Sequence, residues 1–315
     1  MDARRFLLFN NGMIGNTLFN MPVAAWLKRE VPGCFVGMVV DGTGREMVGA
    51  DPNVDALHVF NKKQDSLAAQ FRLVLALRRE KYDVSLQLRT GVRNELIARL
   101  AGVRLRAGFR LKGSPQHLHI KLDEDQTVHR LRSRAILMEA VLNRPVELLP
   151  PRLYPDPAAE RAVADLLAET GTNPGEYLVL HPTGDTGNGI DWSLPTYGEA
   201  IRELSRRLPV YIVCLSDERA TVERAIPSGD RVRYCTEGIA VTSHLIRHAR
   251  YFIGNDSGPA HLACAWGVDR LVVYEHLNEN FTKWQPADTT GCTVIFQKDF
   301  NGEHVAGIVL AAIDE

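Results

Sequence analysis

Gly254-Asn255-Asp256-Ser257-Gly258 sets an amide, a carboxyl and a hydroxyl between two glycines, directly after the apolar run Tyr251-Phe252-Ile253. The run reads as a strand, and Pro259-Ala260-His261-Leu262-Ala263 reads as the helix that follows, because proline suits a first helical turn. Gly254 and Gly258 permit close backbone approach, and Asp256 or Ser257 can cap the helix. Outward amides at a helix start form an anion site suited to phosphate oxygens. The competing reading is a plain, well-capped strand-turn-helix. His261, one turn in, either touches a ligand or bonds a neighbouring carbonyl.

A second stretch, His181-Pro182-Thr183-Gly184-Asp185-Thr186-Gly187-Asn188-Gly189, follows the apolar run 177–180. Its glycines and the Thr183 hydroxyl can wrap a phosphate; a surface loop is the bland alternative. No Gly-Lys-Ser/Thr follows, so it is not a Walker A loop. The turn Asn11-Gly12-Met13-Ile14-Gly15-Asn16-Thr17, with Asp41 further on, gives Gly-x-x-Gly and falls short of the three-glycine dinucleotide fingerprint.

Basic residues crowd one region: Arg89, Arg93, Arg99, Arg104, Arg106, Arg110 and Lys112 stand in 24 residues with one acid, Glu95. Guanidinium forks suit phosphate and carboxylate, although a solvated, salt-bridged surface explains such a cluster equally simply. Arg130, Arg132 and Arg134 form a second group. Asp123-Glu124-Asp125 has the form Asp-x-Asp, but it lies in a polar stretch before a helix. His117 and His119 have no further ligand at a metal-site spacing, so no metal is expected.

The elements that position these residues alternate. Strands are predicted over 5–9, 34–40, 83–88 and 106–109, with helices from Ile14 to Leu27, over 66–79 and over 92–101. Pro145, Pro150, Pro151 and Pro155 then stiffen an extended linker. The pattern restarts with helices near 157–170, 196–208, 218–226, 241–249 and 259–266, and strands near 177–180, 210–215, 231–235, 250–253 and 270–274. Such alternation argues for parallel sheets covered by helices. We expect an α/β protein of two Rossmann-like, doubly wound domains, 1–150 and 151–315, facing a central cleft at the carboxyl ends of the strands.

At 315 residues the chain is long for one core. A net charge of −1 gives no reason to expect nucleic acid. Five scattered cysteines without a CxxC pair suit a reducing compartment. No apolar run reaches the roughly 18 residues of a membrane span. The expected location is cytoplasmic, peripheral to a membrane if attached at all.

Four segments, in order, resemble glycosyltransferase family 9, the bacterial heptosyltransferase family of lipopolysaccharide assembly. Gly15-Asn16-Thr17-Leu18-Phe19-Asn20-Met21-Pro22 is similar to the family's Gly-Asp-x-Leu-x-x-x-Pro. Leu86-Gln87-Leu88 with Ala98-Arg99-Leu100-Ala101-Gly102 is similar to its strand, helix and RLAG. His181-Pro182 through Trp192 and Pro195 resembles its His-Pro-Gly…Trp-Pro, and Gly254 to Ala263 resembles its Gly-x-Asp-Thr-Gly-x-x-His-Leu-Ala.

The resemblance implies a GT-B fold whose last helix, 301–313, returns to the first domain. It implies inverting, metal-independent transfer with no cofactor beyond the donor substrate, a nucleotide sugar such as ADP-heptose. The second domain would hold that donor through Thr183, Gly184, Asp256, Ser257, Gly258 and His261, with Asp217 or Glu218 at the ribose. The first domain would hold an anionic glycolipid or glycan acceptor, a lipopolysaccharide core or related surface glycan, through Arg89, Arg93, Arg106 and Arg110. Peripheral association with the inner membrane follows from such an acceptor.

Two positions depart from the family pattern. Asn16, beside Gly15, stands where the family has its aspartate base, and a carboxamide cannot take a proton as a carboxylate of pKa about 3.9 can. Ile190 and Asp191 precede Trp192 where the family often has a lysine. An alternative expectation is therefore a catalytically impaired, nucleotide-sugar-binding relative acting as a regulatory or assembly subunit. A nicotinamide-dependent oxidoreductase rests only on Gly12, Gly15 and Asp41.

Overall fold

The computed structural model describes residues 4–61, 66–89, 91–110, 117–184 and 193–314. The chain separates into two compact units, Met1–Tyr154 and Pro155–Glu315, a boundary inside the expected proline-rich linker.

The first unit runs β1 (Arg5–Phe9), α1 (Ile14–Glu30), β2 (Phe35–Val40), α2 (Gly42–Val48), β3 (Ala56–Val59), α3 (Leu67–Glu80), β4 (Val84–Gln87), α4 (Val92–Leu100), β5 (Leu105–Phe109), β6 (Ile120–Leu122) and α5 (Arg130–Leu142). Its six strands are all parallel, in the order β3-β2-β1-β4-β5-β6. The order reverses between β1 and β4, whose register places Phe9 beside Gln87.

The second unit runs α6 (Pro157–Glu169), β7 (Leu178–His181), α7 (Leu194–Leu204), β8 (Val210–Val213), α8 (Arg219–Ala225), β9 (Val232–Cys235), α9 (Ile239–Arg247), β10 (Tyr251–Asn255), α10 (Gly258–Trp266), β11 (Arg270–Tyr274), α11 (Glu279–Trp284), β12 (Cys292–Phe296) and α12 (Gly302–Asp314). Its parallel sheet has the order β12-β11-β10-β7-β8-β9 and reverses between β7 and β10. Both units thus have the doubly wound topology expected from the alternating runs.

Burial on both faces explains why the central strands read as continuous apolar runs. Leu178, Leu180, Ile212, Ile253 and Leu271 form the second core with Tyr197 and Ile201 of α7. Leu7, Phe9, Val39, Leu77 and Ile97 lie in the first. Local chemistry sets the helix starts. Asp156 accepts from the amides of Ala158 and Ala159 ahead of Pro157, and Ser66 accepts from Ala69.

Asp41, read with Gly12 and Gly15 as a dinucleotide trace, is instead the cap of α2, its carboxylate 2.8 Å from the Gly44 amide. Two glycines hid that short helix; the cap offsets their cost. Val305, Ala306 and Val309 of α12 are buried in the second unit's own core. Gly302 lies so close to α7 that a Cβ there would stand 2.5 Å from Glu199 Cβ. The apolar face of α12 packs against α7 and closes the second unit's core.

Candidate active site

In a doubly wound sheet, ligands bind beyond the carboxyl ends of the strands where the order reverses. In the second unit those ends are His181 on β7 and Asn255 on β10, and both predicted loops issue from them. Asn255 is buried and pins the two together. Its Nδ2 donates to the Pro182 carbonyl at 2.9 Å and to Ser193 Oγ at 3.0 Å, while its Oδ1 accepts from Tyr197 at 2.8 Å. Gly254 makes this approach sterically possible, because a Cβ there would lie 2.8 Å from the His181 carbonyl.

His181 joins the two loops. Its Nδ1 is 3.1 Å from Ser257 Oγ and its Nε2 is 3.3 Å from Thr183 Oγ1. Thr183 Oγ1 in turn donates to Glu218 Oε2 at 3.1 Å, and the same oxygen accepts the Leu215 amide. A threonine has one proton and a carboxylate oxygen only accepts. Nε2 must therefore carry the imidazole proton and donate to Thr183, leaving Nδ1 to accept from Ser257. Desolvation pushes the His181 pKa down to about 4, so the ring is neutral at ordinary pH, as this chain requires.

The consequence for an anion is specific. Ser257 precedes α10 in extended backbone and its side chain does not cap the helix. With the hydroxyl turned towards His181, the first-turn amides of α10 remain the donors for an incoming oxyanion, and the helix dipole favours negative charge there. Pro259 contributes no amide of its own.

Asp256 follows. Its amide bonds the Val273 carbonyl at 2.9 Å, tying the turn to β11. Burial raises its carboxyl to about 7. His261 Nε2 stands 3.7 Å from Asp256 Oδ1, beyond hydrogen-bond reach. So Asp256, Ser257, Gly258, His261, Thr183, Gly184 and Glu218 come together at one end of one sheet. Glu218 engages Thr183 and the backbone, whereas Asp217 is exposed at the start of α8. Residues 185–192, with Asp191 and Trp192, lie outside the described residues.

In the first unit the equivalent point is the turn after β1. Asn16 Cβ and Arg89 Nη1 flank Gly12, at 3.4 and 3.3 Å from where its Cβ would stand. Asn11 and Asn94 exchange amide hydrogen bonds of 2.8 and 3.3 Å, fixing the turn to α4. Behind it runs a buried chain that the sequence reading missed. Asn10 Nδ2 donates to the Thr17 carbonyl, Asn20 Nδ2 to Asn10 Oδ1 at 2.7 Å, and Arg134 Nε to Asn20 Oδ1 at 2.7 Å. Arg134 also pairs with Glu124 at 3.0 Å, which Arg130 joins. Arg134 is 1% exposed, and its desolvation lowers the pKa to about 10. Burial works against the Glu124 charge as well, but Arg134 and Arg130 hold that carboxyl below its usual range.

The other basic candidates divide. Arg93 is exposed on the first turn of α4. Arg106 donates to the carbonyls of His117 and Val103, each at 2.7 Å, and Arg110 makes a two-pronged pair with Asp123. Asp125 bonds the Thr127 amide and hydroxyl. The whole Asp123-Glu124-Asp125 run therefore answers to neighbouring side chains and backbone. Lys112 lies outside the described residues.

The sequence model of glycosyltransferase family 9 (heptosyltransferase) matches residues 70–304, about three quarters of the chain and the whole of the β7–β10 site. The chain belongs to glycosyltransferase family 9. Solved structures agree on the fold. A family 9 glycosyl transferase from Veillonella parvula superposes with a TM-score of 0.84 at 15% identity, covering 98% of this chain and 92% of that one. The E. coli ADP-heptose lps heptosyltransferase II gives 0.82 at 16%, covering 98% of both. The E. coli heptosyltransferase WaaC with ADP gives 0.73 at 14%, covering 98% of this chain and 99% of that one. A search of curated protein sequences finds no match. At these identities the structural likeness speaks for the GT-B fold of family 9 heptosyltransferases and the sequence model for the family.

Proposed function

We propose that this family 9 glycosyltransferase binds the diphosphate of a nucleotide sugar at the β7–β10 end of the second unit and transfers the sugar, with inversion and without a metal, to an anionic glycan or glycolipid acceptor. The observation that carries the reading is the junction of Ser257, His181, Thr183 and Glu218 beside the uncapped start of α10. ADP-heptose is the first donor to test, because relatives of this fold are described with ADP and with ADP-2-deoxy-2-fluoro heptose. The acceptor fits a lipopolysaccharide core or related surface glycan handled at the cytoplasmic face of the inner membrane, with Arg89 and Arg93 as anion contacts. Among the described residues no helix is long and apolar enough to cross a membrane.

In the proposed transfer an acceptor hydroxyl oxygen attacks the anomeric carbon while the bond to the diphosphate breaks. The nucleoside diphosphate leaves with the bonding electrons, and amides at a helix start stabilise the charge it gains. The hydroxyl proton must pass to a base, and Asn16 is not one. A positioned base is worth about 10²- to 10⁴-fold in rate. Thermal shift against ADP-, GDP-, UDP-, dTDP- and CMP-linked sugars, followed by transfer to lipopolysaccharide-core acceptors, tests the reading. Stabilisation by none of these donors would remove it.

Asn16 also supports a second reading, a relative that binds the donor and serves as an assembly or regulatory subunit. Asn16→Asp separates the two. An enzyme limited by its missing base gains rate, by up to about a hundredfold. A neighbouring Arg89 caps that gain, since a guanidinium at close range keeps an aspartate ionised and weakly basic.

A further inference from the structure

Ten large apolar side chains are exposed among the described residues, and five of them lie on two helices. On α3 they are Leu67, Phe71 and Leu75, exposed by 83, 63 and 37%; on α4 they are Leu96 and Leu100, by 39 and 54%. The inward residues of the same helices, Leu73, Val74 and Leu77 with Ile97 and Ala98, fill the first core. The two helices lie side by side on that face of the sheet, so their outer surfaces make one apolar strip.

The strip is bordered by cations. Arg72, Arg78 and Arg79 are exposed on α3, and Arg99 on α4. The acids of these helices do not offset them: Glu80 is paired with Arg5, and Glu95 is fully buried against the His117 amide. Aromatic and aliphatic groups ringed by arginine on exposed helices form the pattern that seats an amphipathic surface at a lipid interface. A second copy of this chain would suit the strip poorly. A two-fold contact brings the same arginines face to face, and like charges opposed at an interface are unfavourable.

We propose that the outer face of α3 and α4 docks the first unit onto an anionic lipid bilayer, with Leu67, Phe71 and Leu75 entering the headgroup boundary and the arginines meeting lipid phosphates. The choice of a lipid partner rests on the glycolipid-acceptor reading; the apolar, cationic face does not.

Co-sedimentation with vesicles of phosphatidylcholine plus phosphatidylglycerol, against phosphatidylcholine alone, tests it. The protein should bind the anionic vesicles, release with rising salt, and leave the neutral ones unbound. Each arginine near an anionic surface is worth roughly fivefold in partitioning. Arg72→Glu with Arg78→Glu and Arg79→Glu should therefore weaken binding by about a hundredfold or more, and Leu67→Ser with Phe71→Ser by at least about tenfold. A melting transition and ADP stabilisation equal to wild type separate a lost docking face from a lost donor site. Should the charge variant misfold, Phe71→Trp in the otherwise native chain gives the second measurement: its added emission should be quenched by brominated anionic lipid. Wild-type protein that ignores both vesicles, variants that bind as wild type, or a concentration-dependent dimer abolished by the same substitutions would each overturn the proposal.

Discussion

The Nδ1 of His181 lies 3.1 Å from Ser257 Oγ, so the ends of two strands 76 residues apart in sequence share one neutral ring. The ring's second nitrogen reaches Thr183, whose hydroxyl in turn donates a hydrogen bond to Glu218. It orients both loops while adding no charge to the proposed anion site.

His181→Phe keeps a ring of similar size and removes both hydrogen bonds. Affinity for the nucleoside diphosphate should fall by about tenfold, the equivalent of one ordinary hydrogen bond's net worth. Isothermal titration with ADP reads this directly, and His181→Gln should recover part of the loss. An unchanged Kd for the phenylalanine variant would mean that the hydroxyls need no fixed orientation.

Asp256 makes the same site pH-sensitive. Its carboxyl is held near 7 by burial, so it is neutral below that pH and charged above it. Diphosphate affinity should drop as pH rises through about 7, and Asp256→Asn should flatten the profile. Stability has the same sign. The unfolded aspartate ionises near 4, so folding loses free energy between about pH 4 and 7 and levels off above. Urea midpoints of wild type and Asp256→Asn at matched pH values check this, and parallel curves would contradict it.

Glu124 neutralises a fully buried Arg134. Removing one member of such a pair leaves a charge in the core, so Glu124→Gln should destabilise the first unit by about 3 kcal/mol. Because the Glu124 pKa is depressed, its contribution is present above the usual carboxylate range and is lost as pH falls through the lowered value. Chemical denaturation with an unchanged m-value tests the first point; a shift below about 1 kcal/mol would show that Asn20 alone keeps Arg134 satisfied.

Arg106 and Arg93 should part company. Arg106 holds the carbonyls of Val103 and His117, so Arg106→Ala should lower the melting temperature. Arg93→Ala, at an exposed position, should leave the melt within about 0.5 kcal/mol of wild type and weaken only the anionic acceptor. Equal effects of the two on acceptor binding would return Arg106 to the site.

Much of this was legible in the chain. The central strands are apolar throughout, and the loops after β7 and β10 carry the glycines, hydroxyls and acid that converge in the structure. Short or edge elements were not legible. β3 mixes His58 with Ala56 and Leu57, β6 has three residues, and β12 opens on Cys292-Thr293, so none shows a period or a long apolar run. The pairing of Asn10 and Asn20 with Arg134, itself read only as one of a basic group, was missed for another reason. Single polar residues within apolar helices and strand ends give no local pattern, and only the fold brings together Arg134 and Asn20, 114 positions apart. Arg106 and Arg110 show another limit: charge clustering reveals cations and hides the carbonyls and the Asp123 carboxylate they bond.

The side-by-side pairing of β7 and β10 has one more consequence. No hairpin can join parallel neighbours, so β7 and β10 meet through a long-range contact across the chain that carries α7 to α9. The two halves of the proposed donor site therefore come together only with that slow, non-local pairing. Added ADP should slow unfolding of the second unit and leave its refolding rate unchanged.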